Sequence, residues 1–180
     1  MSKLILRSAT ASDIPALSRL GTDSFVAKFG SMYSAADLGA FLSASYAEPV
    51  IAAELANPDR LYQLAERDGK LLAYCKLGLS CSFPKFSRGR NVLELKQLYA
   101  LAEATGMGIG GALMDWAMAE FVTRGADEVQ ISVFSGNLDA QRFYRRYGFE
   151  KVADVTFKVG AQLDAEFLFA KILPLPGASL

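Results

Sequence analysis

Histidine is absent from this 180-residue chain, and cysteine occurs only twice. The lack of imidazole excludes Ser-His-Asp and Cys-His catalysis and any histidine-ligated metal site. Cys75 and Cys81 stand alone, and a disulfide framework or a zinc site needs more such residues. We therefore expect two reduced thiols and no metal.

An excess of charge and long apolar runs are also missing. Lysine and arginine together number 19, as do aspartate and glutamate, so the formal net charge is zero. A dedicated nucleic-acid-binding protein usually carries a basic excess, so we expect no nucleic-acid partner. No run approaches about 18 consecutive apolar residues, and the chain opens without a signal-peptide pattern. We expect no membrane partner and a cytoplasmic protein.

The chain is rich in hydrophobic residues, which make up 52% of it. This fraction predicts a well-filled core and little disorder. The length suits one domain, which we place at residues 1–173, followed by a short tail at 174–180.

Periodicity and turn residues predict the element order β–α–α–β–β–β–α–β–α–β–β, with a short extra helix after Pro49. Ser12 and Ser34 are expected to cap the first two helices, and Asp68-Gly69 is typical of a two-residue hairpin turn. The fold class is therefore α/β (α+β). An antiparallel meander precedes a β–α–β unit, unlike the regular alternation of a doubly wound dinucleotide fold.

The most specific local pattern lies at residues 92–113, which predict a buried strand, a glycine loop and a helix. The loop carries Gly106, Gly108, Gly110 and Gly111. The first amides of a helix lack partners, and the helix dipole favours negative charge there. Because glycines let the backbone approach a ligand closely, we expect a phosphate or pyrophosphate over this loop.

Two motifs resemble those of the GCN5-related N-acetyltransferase (GNAT) superfamily. Residues 105–110, TGMGIG, are similar to the family's Q/R-x-x-G-x-G/A motif, with Thr105 in place of Gln or Arg. Residues 137–149, NLDAQRFYRRYGF, are similar to its second signature of Asn, Ala, Phe-Tyr and Gly-Phe. The resemblance implies a GNAT fold, with a mixed, mostly antiparallel twisted sheet of six to seven strands and about four helices. It also implies acetyl-CoA as co-substrate and acyl transfer to an amine.

The resemblance further implies a cofactor site made largely of backbone groups. The strand before the loop should splay from its neighbour at a bulge and lend groups to the pantetheine arm, one amide being the oxyanion donor. The matching positions there are Leu98, Tyr99 and Leu101. The pyrophosphate should lie over the loop positions Thr105, Gly106, Met107, Gly108, Ile109, Gly110 and Gly111.

The second motif supplies side chains. Tyr144 is the expected acid for the leaving thiolate, since a phenol with a pKa near 10 stays protonated at neutral pH; a core tyrosine is the alternative. Asn137 is expected to contact the cofactor or to cap a helix. Arg146, which clusters with Arg142 and Arg145, is placed near the 3′-phosphate of CoA, with a solvated helix face as the alternative.

Glu94 is the expected general base. It stands eleven residues before Thr105, at the position of the catalytic glutamate in the histone-acetylating members that the chain resembles. Leu93 and Leu95 beside it predict burial, which suits a proton acceptor that acts directly or through a water. A structural or substrate-orienting carboxylate is the alternative.

The acceptor is the least determined feature. Residues 24–46 are similar to a bacterial subset that includes polyamine-acetylating enzymes. A primary amine of a small molecule, with polyamines as one option, is therefore the expected substrate. A peptide or protein amine, a catalytically idle acyl-CoA sensor and a different nucleotide binder stay open. Asp13, Asp37, Glu48 and Glu54 are candidate carboxylates for a cationic acceptor. Dimers are common in the family, so a homodimer is among the expected assemblies.

Overall fold

The computed structural model describes residues 3–174, so most of the predicted tail lies outside the described residues. Within this part the chain forms seven strands and five α-helices. The strands are β1 (Ile5–Ser8), β2 (Arg60–Arg67), β3 (Lys70–Gly78), β4 (Val92–Ala100), β5 (Glu128–Phe134), β6 (Glu150–Val159) and β7 (Gln162–Ile172). The helices are α1 (Ile14–Phe29), α2 (Ala35–Tyr46), α3 (Glu48–Ala56), α4 (Ile109–Thr123) and α5 (Leu138–Arg146).

All seven strands belong to one mixed sheet in the order β1-β2-β3-β4-β5-β7-β6. Every neighbouring pair is antiparallel except β4 and β5, which are parallel. This confirms the predicted mixed, mostly antiparallel sheet of six to seven strands. The flanking helices also match the expectation of about four, with α3 as the short helix predicted after Pro49.

The parallel pair is short. Val92 to Glu94 of β4 pair with Glu128 to Gln130 of β5, and the register ends there. Residues 95–100 and 131–134 then run on as separate strand edges, and we call the region between them the seam. A β-bulge lies just past its closed end: Lys76 pairs with Gln97 and Leu77 with Leu95, so Lys96 is an extra residue.

The two faces of the sheet carry different helices. One face is covered by α4 and α5, and Leu113, Ala117 and Phe121 recur at intervals of four residues on the buried side of α4. Burial of Leu113 or Phe121 contributes about 1.5–3 kcal/mol each, and Ala117 contributes less. The other face is covered by α1, α2 and α3, whose Leu17 and Tyr46 pack among sheet residues. The seam is thus approached by different helices from its two faces.

The helix starts test the predicted caps. Ser34 caps α2 as predicted, since its Oγ accepts the Asp37 amide at 3.1 Å. The prediction that Ser12 caps α1 is wrong, because Ala11–Asp13 form a 3-10 turn before the helix. Thr10 caps that turn, where the Asp13 carboxylate accepts its amide at 2.7 Å, and Asp13 itself is the N-cap residue of α1.

Among residues 3–174 no helix combines the length and apolar character needed to cross a bilayer.

Candidate active site

The glycine loop presents a row of backbone amides at the start of α4. Gly106 and Gly108 have φ angles of 79° and 77°, in the left-handed region that favours glycine. The first helical hydrogen bond is donated by Ala112 to the Gly108 carbonyl at 3.1 Å. Within residues 3–174 the amides of residues 106–111 find no acceptor. Six neighbouring donors at a positive helix end are suited to a pyrophosphate.

Space above the loop is open. A Cβ placed on Gly106, Gly108 or Gly110 would meet nothing within 4 Å in residues 3–174. The glycines are therefore not required by internal packing at this end of α4. The amides and the open space together fit a bound phosphate group.

Side chains contribute little to this surface. The Thr105 hydroxyl donates to the Leu101 carbonyl at 3.4 Å, so it serves the preceding turn. Ile109 is buried in the core beneath α4, and only its backbone remains for a ligand. Met107 is exposed. With Thr105 in place of the motif's Gln or Arg, the loop therefore offers a ligand mainly its backbone amides.

The strand before the loop turns alternate backbone groups towards the seam. The Leu101 amide donates to the Leu72 carbonyl at 2.9 Å. Because inward and outward groups alternate along an antiparallel ladder, the Tyr99 amide also faces β3, whereas that of Leu98 faces the seam. Leu98 is therefore the position among the three whose amide is directed to the seam, and the cofactor contacts of Leu98, Tyr99 and Leu101 stay predictions.

Tyr144 lies on α5 and is 6% exposed, with its ring packed against Phe143 and Phe149. Burial raises the pKa of its hydroxyl well above the usual value, and nearby Cys75 and Tyr99 add to this shift. In residues 3–174 the hydroxyl makes no hydrogen bond. A protonated phenol without a competing partner is suited to donate to a thiolate.

The rest of α5 supports the glycine loop. The Tyr147 hydroxyl lies 3.3 Å from the Gly111 carbonyl and 3.1 Å from Asp115 Oδ1, which ties the end of α5 to the first turns of α4. Asn137 caps α5, since its Oδ1 accepts the Ala140 amide at 3.3 Å. Its side-chain NH₂ is not used in the cap. Its contact with a cofactor stays a prediction.

The three arginines of the predicted basic cluster have different surroundings. Arg142 pairs with Asp139 on the exposed side of α5. The guanidinium of Arg145 lies over the Phe169 ring at 5.5 Å, and that of Arg146 over the Phe143 ring at 5.7 Å. Arg146 is exposed and has no carboxylate partner within the described chain. It remains our candidate for the 3′-phosphate.

Glu94 is buried, as predicted, with 6% of its surface exposed. Its Oε2 accepts the Ser82 amide and hydroxyl, both at 2.8 Å, and the Lys96 ammonium at 3.0 Å. The carboxylate therefore anchors the β3–β4 loop at the bulge. This is the geometry expected of a structural carboxylate, and the base role stays a prediction.

A half-buried carboxylate, that of Glu166, lies on β7. Glu166 pairs with Phe134 at the far end of β5, beyond the residues that join β4 to β5. Phe134 packs edge-on against Phe29 of α1, and directly paired residues share a face, so Glu166 lies on the α1 face. Its Oε2 is buried and unpartnered within residues 3–174. Burial raises the pKa of Glu166, the charges of Asp164 and Glu94 add to it, and a hydrogen bond from Ser132 opposes it.

Asp164, two residues earlier, shares this face. Its carboxylate accepts the Tyr33 hydroxyl and the Gln162 side-chain amide, the latter at 2.6 Å. The pKa of the Tyr33 hydroxyl is raised above its usual range by burial and by this carboxylate. Asp164 is thus satisfied internally, in contrast to Glu166.

Three of the carboxylates that the sequence suggested for the acceptor bind groups within the chain. Asp13 binds Arg7 at 2.7 Å, and Asp37 accepts the Ala161 amide at 2.6 Å. Glu54 pairs with the buried Lys76 at 2.9 Å. Each of these three therefore has an internal partner, and their role at an acceptor site, like that of Glu48, stays a prediction. Sequence reasoning missed Glu166, although its spacing of two from Asp164 places both on one face of a strand.

Buried tyrosines support the seam from the α1 face. The Tyr46 hydroxyl lies 3.2 Å from that of Tyr99, and the Gln97 amide lies 3.4 Å from Tyr46. Gln97 in turn accepts the Tyr74 hydroxyl at 2.8 Å. Tyr99 also influences the pKa of the Tyr144 hydroxyl and is itself influenced by Glu166.

A family comparison agrees with this arrangement. Residues 26–149 match the Acetyltransferase (GNAT) family. The match spans both motifs and most of the sheet, so the chain belongs to the GNAT family.

Curated relatives carry compatible names. An uncharacterized N-acetyltransferase of Mycobacterium bovis is 31% identical over 138 residues, covering 76% of this chain and 82% of that protein. An aminoalkylphosphonate N-acetyltransferase of Salmonella typhimurium is 30% identical over 100 residues, covering 56% of this chain and 63% of that protein.

Solved structures share the fold. The PaiA N-acetyltransferase of Thermoplasma acidophilum, in complex with coenzyme A, has a TM-score of 0.78 at 21% identity and covers 95% of this chain and 99% of its own. A ribosomal-protein-alanine N-acetyltransferase of Brucella melitensis has a TM-score of 0.72 at 25% identity, with coverages of 94% and 99%. The protein is an acetyl-CoA-dependent N-acetyltransferase.

Proposed function

We propose that this enzyme transfers the acetyl group of acetyl-CoA to a primary amine of a small molecule by direct attack. The observation that carries the proposal is the seam. It has Tyr144 on one face and Glu166 on the other, and it follows the strand that leads into the glycine loop. An acyl donor and a cationic acceptor would then meet from opposite faces of one sheet.

The chain's own residues fit acetyl-CoA. When bound, it supplies a thioester carbonyl carbon as electrophile. The unpartnered amides of residues 106–111 would hold the pyrophosphate, and Arg146 would contact the 3′-phosphate. The Leu98 amide would stabilise negative charge on the carbonyl oxygen, and Tyr144 would give its proton to the departing sulfur. Asn137 completes the candidate contacts.

The acceptor proposal rests on charge. The half-buried carboxylate of Glu166, beside Asp164 and Glu94, would attract an ammonium group and offer it an unpartnered oxygen. The Salmonella relative's name specifies an aminoalkylphosphonate, a small amine, and this supports the small-molecule class. Polyamines carry several cationic amines, which would match the acidic groups.

A protein amine is the second candidate. The Brucella structure is named for acetylation of a ribosomal-protein alanine and is 25% identical. An N-terminal α-amine differs from a polyamine amine in being attached to a peptide. Peptides beginning with alanine therefore belong in the same screen.

The test is an acetylation screen with purified enzyme. It combines acetyl-CoA with polyamines, aminoalkylphosphonates, amino acids, aminoglycosides and alanine peptides, and detects acetylated product by mass. We expect product from a small amine. A preference for the peptides would replace the proposal by the second candidate. A thermal shift with CoA, ATP and NAD should show stabilisation by CoA, and shifts by ATP or NAD alone would contradict the cofactor assignment. Sedimentation velocity on the same sample tests the expected homodimer.

A further inference from the structure

We propose that Glu166, rather than Glu94, is the carboxylate that takes the proton from the acceptor's ammonium group. The inference rests on the proposed function and deepens it, since it assigns the base and requires an acceptor that arrives as a primary ammonium ion. Glu166 lies at the open end of the seam, and nothing in the two sequence motifs points to it.

The first argument is the difference in hydrogen bonding. Oε2 of Glu94 already accepts two bonds from Ser82 and one from Lys96. An oxygen that already accepts from an ammonium and two further donors has little room for a substrate ammonium group. Oε2 of Glu166 is buried without a partner in residues 3–174. A buried oxygen without a donor is costly, and a substrate ammonium would supply one.

The second argument is position. The pairing of Glu166 with Phe134 places it level with the part of β5 that has separated from β4. It lies on the α1 face, whereas Tyr144 belongs to the core cluster on the α4 face. Tyr99 interacts electrostatically with both groups. A base and an acid on opposite sides of the seam match a reaction in which amine and thiol use different faces.

The third argument is the charge around Glu166. Asp164 on β7 and Glu94 on β4 face it, Ser132 on β5 donates to it, and Tyr99 lies nearby on β4. Burial and the two carboxylates raise its pKa, while Ser132 lowers it. A glutamate tuned upward in this way is closer to the pH at which proton transfer is efficient.

The protons balance over the reaction. Glu166 takes one proton from the ammonium, and the neutral nitrogen bonds to the thioester carbonyl carbon. As the carbon–sulfur bond breaks, the sulfur takes the Tyr144 proton. The new amide nitrogen loses a second proton, which restores Tyr144. Glu166 then releases its proton to solvent, so one amide, one thiol and one proton are formed.

The test compares Glu166→Gln and Glu94→Gln, with Glu150→Gln on the exposed end of β6 as the matched control. Each variant is assayed from pH 5 to pH 9 with acetyl-CoA and the best amine of the screen. Glu166→Gln should lower kcat/KM by about 100-fold and remove the acidic limb of the pH profile. The limb arises because activity falls as the carboxylate becomes protonated. It should lie above the usual glutamate pKa, because burial and the neighbouring carboxylates raise the pKa of Glu166. Glu150→Gln should match the wild type.

Two further readouts separate chemistry from folding. CoA binding by calorimetry should be unchanged in Glu166→Gln. Its Tm at pH 8 should equal or exceed that of the wild type, because a half-buried charge with one unpartnered oxygen, next to two other carboxylates, is removed. Glu94→Gln should instead lose Tm and retain the acidic limb, since Lys96 and Ser82 lose their anchor.

The inference is overturned if Glu166→Gln keeps wild-type kcat/KM and its acidic limb, or if the limb disappears in Glu94→Gln instead. Failure of the proposed function would appear differently, as a wild type that binds CoA and acetylates no amine. Such a wild type would overturn the proposed function together with the assignment of Glu166 as the base. An active wild type with an unaffected Glu166→Gln variant would overturn the base assignment alone.

Discussion

The glycine loop and the acidic face around Glu166 are built from different parts of the chain. The loop offers backbone amides and almost no side chains, since Thr105 and Ile109 turn away from it. The acidic face offers carboxylates and tyrosine hydroxyls on paired strands. A pyrophosphate is common to every reaction of the family, and an acceptor is not. Side-chain substitutions should therefore alter the acceptor more readily than the cofactor.

The largest effect that would sharpen this contrast is expected at Tyr144. Tyr144→Phe should lower kcat by about 100-fold with unchanged CoA affinity, because only proton donation is lost. Stopped-flow thiol detection and calorimetry measure the two quantities. The pH profile of the wild type should show no descending limb from this group below pH 10, since its pKa is raised and the acid form persists.

Tyr147→Phe is the matched control for that variant. It removes one hydroxyl from the same helix but touches the Gly111 carbonyl and Asp115 rather than the seam. We expect a small change in CoA affinity and little change in kcat. Equal losses in the two variants would contradict the acid assignment for Tyr144.

The next effect concerns the backbone side of the comparison. Gly108→Ala should weaken CoA binding about tenfold, because a left-handed conformation costs a residue with a Cβ about 1–2 kcal/mol and the amides shift to relieve it. Gly39→Ala is the control, since Gly39 lies inside α2 with nothing within 4 Å of its Cβ direction. That variant should keep CoA affinity. Unaltered CoA binding in Gly108→Ala would contradict the proposal that the amides of this loop hold the pyrophosphate.

A smaller effect is expected where α2 meets the β6–β7 turn. The Asp37 carboxylate accepts the Ala161 amide, and Gly160 has a φ of 58° with its Cβ direction filled by Asp37. Gly160→Ala should lower Tm by at least about 5 °C, because the left-handed conformation costs about 1–2 kcal/mol and the added Cβ also collides with Asp37. It should raise the KM for the amine more than that for acetyl-CoA. Steady-state kinetics with each substrate varied in turn measures the two KM values. An equal rise in both would contradict the assignment of the acceptor to the acidic face and of the cofactor to the glycine loop.

The smallest effect is expected at Thr105. Thr105→Val removes a hydroxyl whose bond to the Leu101 carbonyl is 3.4 Å long, so CoA affinity should change by about twofold or less. Calorimetry measures it. A tenfold loss of CoA affinity would show that the Thr105 side chain contacts the cofactor, and that the loop does not bind it through backbone amides alone.

Much of the fold was predictable, because local rules governed it. The Asp68-Gly69 turn, the Ser34 cap and the strand–loop–helix around Gly108 all follow from short-range chemistry. The misplaced Ser12 cap arose from Asp13, whose partner Arg7 lies on the preceding strand.

The candidate site was less predictable, since its key relations join distant segments. The bulge at Lys96 and the seam depend on strand register, which a single sequence does not specify. Glu94 was read correctly as buried, but its partners Ser82 and Lys96 are visible only in three dimensions. Glu166 was overlooked because its importance comes from lacking a partner, and no sequence pattern encodes that absence.

The seam also has a consequence for handling the protein. Beyond Glu94 and Gln130, two strand edges of one sheet face each other without pairing. Unpaired edges are templates for association with other chains. The pantetheine arm of CoA carries amide groups, and bound in the seam it would cover both edges as an additional strand does. CoA in the purification and storage buffers should therefore suppress aggregation more than its effect on Tm alone would suggest.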